Sequence, residues 1–127
     1  MPDKLFDRTI SFIQKSLDLR TSRHKILSEN IANSATPNFQ PKDIPFQKIL
    51  SRSLEGSSSL ELRRTHIGHL PGGLEEAVEV EKGSGGLNIE EEMAKLAENN
   101  LMYQTGIQVL AKKLETLKVT IIEGGGR

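Results

Sequence analysis

Three histidines are the residues of this chain whose type and spacing most readily suggest chemistry. His66 and His69 are separated by two residues, a spacing that could hold a metal ion in a turn. A closed metal site needs further ligands, and the chain has no cysteine and no third ligand near this pair. His24 lies among apolar residues at helical spacing, which favours a hydrogen-bonded histidine facing a helix or a subunit over a catalytic base. We therefore predict no metal ion, no cofactor and no catalytic residue.

Two neighbouring segments resemble catalytic or phosphate-binding features but favour structural roles. Glu90, Glu91 and Glu92 follow one another where a helix is expected to begin, and carboxylates there stabilise the positive end of the helix dipole. The preceding Gly-Ser-Gly-Gly stretch at 83–86 lacks the ending of a phosphate loop, and three glutamates would repel a bound anion. The sequence therefore predicts a flexible joint at 83–86, and neither an enzyme nor a binder of a small-molecule substrate.

The composition argues against further classes of protein. The 127 residues include 17 Lys and Arg against 17 Asp and Glu, so no net charge attracts nucleic acid. The apolar runs are far shorter than the roughly 20 residues that cross a bilayer, and the first residues lack the apolar core of a cleavable signal. We expect a small protein that neither binds nucleic acid nor inserts directly into a membrane.

Glycine and proline divide the chain into three parts. Residues 1–55 contain no glycine, whereas seven of the eleven glycines and four of the five prolines lie between 37 and 86. This distribution predicts a mainly α protein, with an N-terminal helix in 1–36, an irregular central segment in 37–86 and a C-terminal helix in 87–127. Alternating apolar residues at 60–62 and 78–80 predict a small β-hairpin in the central segment, and 44–53 could form one or two helical turns.

The C-terminal helix has the strongest periodic signal. Apolar residues are spaced alternately four and three apart, as in a coiled-coil seam. Asn88 is the expected N-cap with Glu91 reaching back to it, and Gly124 begins the expected stop. Gly106 indicates a close helix contact or a bend, because glycine inside a helix costs about 1 kcal/mol relative to alanine. The predicted packing residues are Ile89, Met93, Leu96, Asn100, Tyr103, Ile107, Leu110, Leu114, Leu117 and Ile121.

The N-terminal helix repeats this spacing and is interrupted by Arg20 and His24. It is expected to end near Ala35 or Thr36, because Pro37 biases its predecessor away from the helical conformation. The predicted packing residues are Phe6, Ile10, Ile13, Leu17, Leu27 and Ile31, and a second apolar row consists of Leu5, Phe12, Leu19 and Ile26.

Two helices touching along one line cannot cover a face as wide as the first helix presents. Burying a Leu, Ile or Phe side chain is worth about 1.5–3 kcal/mol, so an uncovered second row forfeits stability. Either the helices associate with other subunits, or they stay partly unfolded when alone, or residues 40–80 fold back over them.

A motif rich in Asn, Ser and Thr lies at the end of the N-terminal helix, and its residues are Asn30, Ile31, Ala32, Asn33, Thr36, Pro37, Asn38 and Phe39. Such side chains can bond the orphan carbonyls of the helix or the turn backbone, and so fix the direction in which the chain leaves. The motif resembles that of the bacterial flagellar rod, hook and axial protein family, which has Asn-hydrophobic-Ala-Asn followed by Thr-Pro-Gly-Tyr. Asparagine is the next best residue after glycine for a left-handed turn, so its presence at the glycine position should preserve the geometry.

This resemblance implies a structural subunit of the flagellar axis. The short length and the run at 88–104 are similar to those of a proximal rod subunit. Members of this family pair their terminal helices as an antiparallel coiled coil and stack with neighbouring subunits into a helical tube that transmits torque. The resemblance further implies export through the flagellar type III apparatus without a cleaved signal. Assembly would then take place in the periplasm, with copies of itself, the FliE adaptor and the rod protein FlgC as partners. The alternatives are another rod subunit or adaptor of the same axis, similar to FlgC, and a soluble coiled-coil scaffold or chaperone.

Overall fold

Three helices and two short strands form the part of the chain that the computed structural model describes, residues 2–55, 81–83 and 85–125. The mainly α class is confirmed. The predicted hairpin at 60–62 and 78–80 lies outside the described residues. The elements are α1 (Pro2–Ala32), β1 (Lys42–Asp43), α2 (Phe46–Leu54), β2 (Glu81–Lys82) and α3 (Ile89–Gly125).

The first helix begins and ends at residues that favour a boundary. Pro2 is the first helical residue, a position that suits proline because its missing N–H would have no helical partner there. The helix ends at Ala32, earlier than the expected Ala35 or Thr36. The amide of Asn33 still donates to Glu29 O, and the Asn33 side chain donates to the same carbonyl. The Asn33 side chain thus competes with the backbone for the carbonyl of Glu29, and the helix ends before the position at which Pro37 would restrict it.

The first and last helices pack side by side in opposite directions. Leu17 contacts Gly106, and Asn30, thirteen residues further along α1, bonds Glu92, fourteen residues back along α3. The antiparallel pairing of the terminal helices is therefore confirmed. A methyl group on Gly106 would lie 2.8 Å from Leu17 Cδ2, so Gly106 marks a close helix contact.

The start of α3 is capped by Asn88, as expected. Its side-chain Oδ1 accepts from the amide of Glu90 at 3.1 Å and from the amide of Glu91 at 3.5 Å. The expectation that Glu91 reaches back to Asn88 is wrong, because its carboxylate pairs with Lys95 at 3.2 Å, one turn further along the helix.

The central elements cover part of α1. Strands β1 and β2 pair antiparallel, and α2 forms where helical turns were expected in 44–53. Ile44, before α2, and Ile49, within it, are buried with Ile26 of α1, and Leu19 packs against this cluster. Folding back of the central segment thus accounts for this half of the second apolar row.

None of the helices within the described ranges combines the length and the apolar character needed to cross a membrane.

Candidate functional site

The motif at the end of α1 holds the chain that leaves it. Asn30 is only 1% exposed, and its side-chain amide bonds both backbone groups of Lys42. Its Nδ2 donates to Lys42 O at 2.7 Å, and its Oδ1 accepts from Lys42 N at 3.0 Å. The same Nδ2 donates to Glu92 Oε2 on α3 at 2.9 Å. One side chain therefore joins α1, β1 and α3 at the point where the central segment leaves the helix pair.

The residues after α1 form a short series of turns. The Asn33 side chain donates to Glu29 O at 2.8 Å, and the Thr36 hydroxyl bonds Asn33 Oδ1 at 3.2 Å. The amides of Thr36 and Phe39 then donate to carbonyls three residues back. Asn38 has a φ of 59°, which confirms the left-handed position expected for this residue. Pro37 and Asn38 are exposed, and Phe39 is half-buried.

An arginine on α1 fixes the strand that Asn30 holds. Arg23 donates twice to the carboxylate of Asp43, from Nε at 2.9 Å and from Nη2 at 3.0 Å. The same carboxylate accepts from the amide of Ile44 at 2.7 Å. The hydrogen bond to Asp43 raises the pKa of Arg23, although partial burial of the guanidinium opposes the shift. A bidentate pair of this kind positions β1 more rigidly than a single contact would.

A second arginine on α1 contacts both α2 and α3. Arg20 lies over the ring of Phe46, 4.1 Å from its centroid, and its backbone carbonyl accepts from Asn99 Nδ2 at 2.8 Å. Burial, followed by the charge of Arg23, lowers the pKa of Arg20. Asn99 is 1% exposed, so a buried side chain joins the two long helices through this bond.

Glu92 is a buried carboxylate on α3, and both of its oxygens have partners. Asn30 bonds Oε2, and the ammonium of Lys95 bonds Oε1 at 3.1 Å. Burial lowers the pKa of Lys95, but its hydrogen bonds to Glu92 and Glu91 outweigh this effect, and the pKa is raised overall. Within the described ranges, every buried side-chain nitrogen or oxygen has a hydrogen-bond partner.

The seam predicted on α3 divides into two rows. One row is half-buried beside the contacts with α1, whereas the other faces solvent. We call the second set, whose members are seven residues apart, the outer row. The half-buried row is Leu96, Tyr103, Leu110 and Leu117, and Ile89, also predicted, is exposed. The outer row is Met93, Asn100, Ile107, Leu114 and Ile121.

Sequence reasoning predicted a close contact at Gly106 but missed two polar residues of α3, Glu92 and Asn99, that contact α1. Glu92, Asn99 and Gly106 are seven apart and contact α1, and each lies one position before one of the first three members of the outer row. Their polar and small side chains carry no apolar signal. The repeat of seven within a helix is the pattern that could have identified them.

On α1 the predicted residues mostly lie towards the interior of the fold. Leu27 is completely buried, whereas His24 is exposed and makes no side-chain hydrogen bond among the described residues. Leu5, in the second row, is also exposed, so α2 and Ile44 cover only part of that row. Phe6, Ile10, Ile13, Leu17 and Ile31 are half-buried.

The part of the chain that the structure describes contains no candidate metal-binding site. No group of three or more His, Cys, Asp or Glu residues there could hold a metal ion. His66 and His69 lie outside the described residues.

Comparison with known proteins gives a consistent set of relatives. No family model matches the chain. It is 30% identical to the flagellar basal body rod protein FlgB of Salmonella typhimurium, over 98% of this chain and 99% of the relative. It is 28% identical to the protein of the same name from Bacillus subtilis, over 95% of this chain and 98% of the relative. A FlgB protein of Proteus mirabilis is 44% identical over 75 residues, which cover 56% of this chain and 53% of the relative. The similarity to the first two relatives thus includes both long helices and the segment between them.

Proposed function

The chain belongs to the FlgB family of flagellar basal body rod proteins, and from this premise we propose that it polymerises as a subunit of the proximal rod. Such a subunit would help to transmit torque from the motor ring to the hook and the filament. Membership of the family supports the assignment of the chain as a structural component of the basal body rod. The way in which its copies polymerise is the part that we propose.

The outer row of α3 is the observation that carries the proposal. Ile107, Leu114 and Ile121 are exposed along one line of a helix whose adjacent face packs on α1. Covering each such side chain is worth about 1.5–3 kcal/mol, so a monomer in water leaves a substantial free energy of association unused. Repeated contacts between unlike faces of neighbouring copies generate an open helical assembly.

The motif turn supports a second part of the proposal. Asn30 and the Arg23–Asp43 pair hold β1 against the helix pair through partly buried hydrogen bonds. We assign to this turn the role of setting the angle at which the central segment leaves the rod core. A fixed angle lets every subunit present its central segment in the same orientation, which torque transmission requires.

Partners and location follow from the proposed place in the rod. We propose that the chain contacts further copies of itself, the FliE adaptor and the rod protein FlgC. We also propose that the flagellar type III apparatus exports it to the periplasm without cleavage of a signal.

Ile107→Asp tests the proposal at the outer row. The side chain is exposed in the single chain, so the variant should fold and be exported. A charge buried between subunits without a partner is strongly unfavourable, so rod assembly should stop. Swimming in soft agar, electron microscopy of isolated basal bodies and the amount of chain recovered from the periplasm measure the three outcomes.

Gln108→Asp is the matched control, because it places the same side chain on the next exposed residue, about 100° around the helix. We expect it to swim normally, and alanine at both His66 and His69 to have little effect. Leu110→Asp should also stop assembly, but through the helix pair, because Leu110 is half-buried beside α1. Normal rods with Ile107→Asp, or loss of rods through the histidine changes alone, would contradict the proposal.

A further inference from the structure

The tip of α3, residues 121–125, extends past the beginning of α1. Leu17 packs on Gly106, and Lys113 Nζ lies 5.5 Å from the centroid of the Phe6 ring. In an antiparallel pair, each residue back along α1 corresponds to one residue forward along α3. This register therefore places the first turn of α1 opposite roughly residue 120 of α3. Ile121 and Ile122, which are 69% and 63% exposed, are therefore beyond the cover that α1 provides.

The tip also lacks a positive charge. Glu123 lies in the last turn, where the helix dipole is negative, and that turn contains no basic residue. Two exposed isoleucines and a carboxylate at the negative end of a helix make an apolar surface that favours a basic partner.

A groove with this complementary chemistry lies between α1 and α2. Its volume is about 530 Å³, and Phe12 and Leu54 contribute its apolar lining. Arg8 and Lys15 also line it, together with Asp7. Within the described part of the chain neither cation forms an ion pair, so both can pair with an incoming carboxylate.

The tip cannot reach the groove of its own chain. Because α3 runs antiparallel to α1, residue 122 lies past the start of α1, whereas the groove is centred near residue 11. The separation along the helix axis is about 18 Å at 1.5 Å per residue, and a continuous helix cannot fold back over it. Resting on the proposed polymerisation, we infer that the groove between α1 and α2 accepts the α3 tip of a second copy of this chain. The two contacting surfaces are different, so the contact repeats from copy to copy and leaves open ends.

Disulfide trapping tests this contact directly, because the native chain has no cysteine. Ser11 lines the groove, and Ile122 lies on the tip. A chain carrying both Ser11→Cys and Ile122→Cys should form a ladder of dimers, trimers and larger products when basal bodies from swimming cells are oxidised. Each single variant should give no ladder, and neither should Ser11→Cys combined with Gln108→Cys.

Several outcomes would overturn the inference. Cells that swim contain assembled rods, so the absence of the disulfide-linked ladder in such cells would overturn it. A product that stops at the dimer would also overturn it, because a closed two-fold contact links only two copies. A photo-cross-linking residue at Ser11 should capture residues 119–125 of another copy. A cross-link to a different rod protein, or to a residue within the same molecule, would also overturn it.

Charge reversal keeps the inference testable if the cysteine variants do not swim. Lys15→Glu and Glu123→Lys should each reduce swimming, and the two changes together should restore most of it. A double variant no better than the worse single variant would contradict the contact. Loss of assembly with Ile107→Asp in the absence of any link between 11 and 122 would reject this contact while leaving the proposed polymerisation intact.

Discussion

At the scale of single residues, Asn30 is the side chain that joins the exit from α1 to both β1 and α3. Its amide satisfies the N–H and the C=O of Lys42 and one oxygen of Glu92. Aspartate has nearly the same shape but no donor. Aspartate at this position therefore removes the donated hydrogen bonds and leaves the packing nearly unchanged.

We expect Asn30→Asp to lower the free energy of unfolding by about 2–4 kcal/mol at neutral pH. The new carboxylate would face Lys42 O and the buried carboxylate of Glu92, and two carboxylates in one site cannot both ionise freely. One of them should therefore have a raised pKa in the folded state. The loss should shrink as the pH falls through that raised pKa, because protonation restores a donor. Urea unfolding followed by circular dichroism at several pH values measures this.

Asn100→Asp is the control, since it makes the same chemical change at an exposed position on α3. Its effect should stay within about 0.5 kcal/mol at all these pH values. Equal losses for the two variants would show that Asn30 does not hold the turn as described.

Asn38 tests the left-handed turn. A φ of 59° costs residues with a Cβ about 1–2 kcal/mol, and a β-branched side chain is the least suited to it. Asn38→Val should therefore lower the melting temperature by about 4–8 °C per kcal/mol, whereas Asn38→Gly should keep or raise it. Equal melting temperatures for the two variants would argue against a turn at this position in solution.

At the scale of the elements, apolar periodicity was enough to predict the two long helices, and the residue type of Asn88 was enough to predict the cap of α3. Periodicity was not enough to predict which part of the α3 seam faces α1. The exposed Ile107 and the half-buried Leu110 have the same hydrophobic signal, although only one lies beside the partner helix. The buried contacts at Glu92 and Asn99 are hydrogen bonds, and their value depends on partners that are distant along the chain.

The approach of α1 to α3 gives a prediction at this scale. Gly106→Ala should gain about 1 kcal/mol of helix propensity, but its methyl group would meet Leu17 Cδ2 at 2.8 Å. Overpacking commonly costs about 1–3 kcal/mol, so we expect a net loss of stability in the wild-type chain. With Leu17→Ala the contact disappears, and Gly106→Ala should then be stabilising. A double-mutant cycle from urea unfolding measures the coupling, and the same effect in both backgrounds would contradict it.

At the scale of the whole molecule, the core is small for the length of the helices. Among the described residues, Ile26, Leu27, Ile44 and Ile49 are the buried hydrophobic side chains. Many large hydrophobic side chains of α3, Ile107, Leu114 and Ile121 among them, are exposed. In the proposed rod, association with neighbouring subunits would cover this surface and stabilise the folded helix pair by mass action.

We therefore expect the helix content of the purified chain to rise with concentration. Circular dichroism should show less helix in dilute than in concentrated solution, and sedimentation velocity should show monomers in dilute solution and heterogeneous oligomers at higher concentration. Ile107→Asp should weaken both changes, whereas Gln108→Asp should not, because only the first alters the outer row. A fully helical dimer that melts sharply at every concentration would instead favour a closed coiled-coil scaffold. That outcome would contradict a subunit whose helices are stabilised by assembly, since the outer row would then be covered within the dimer.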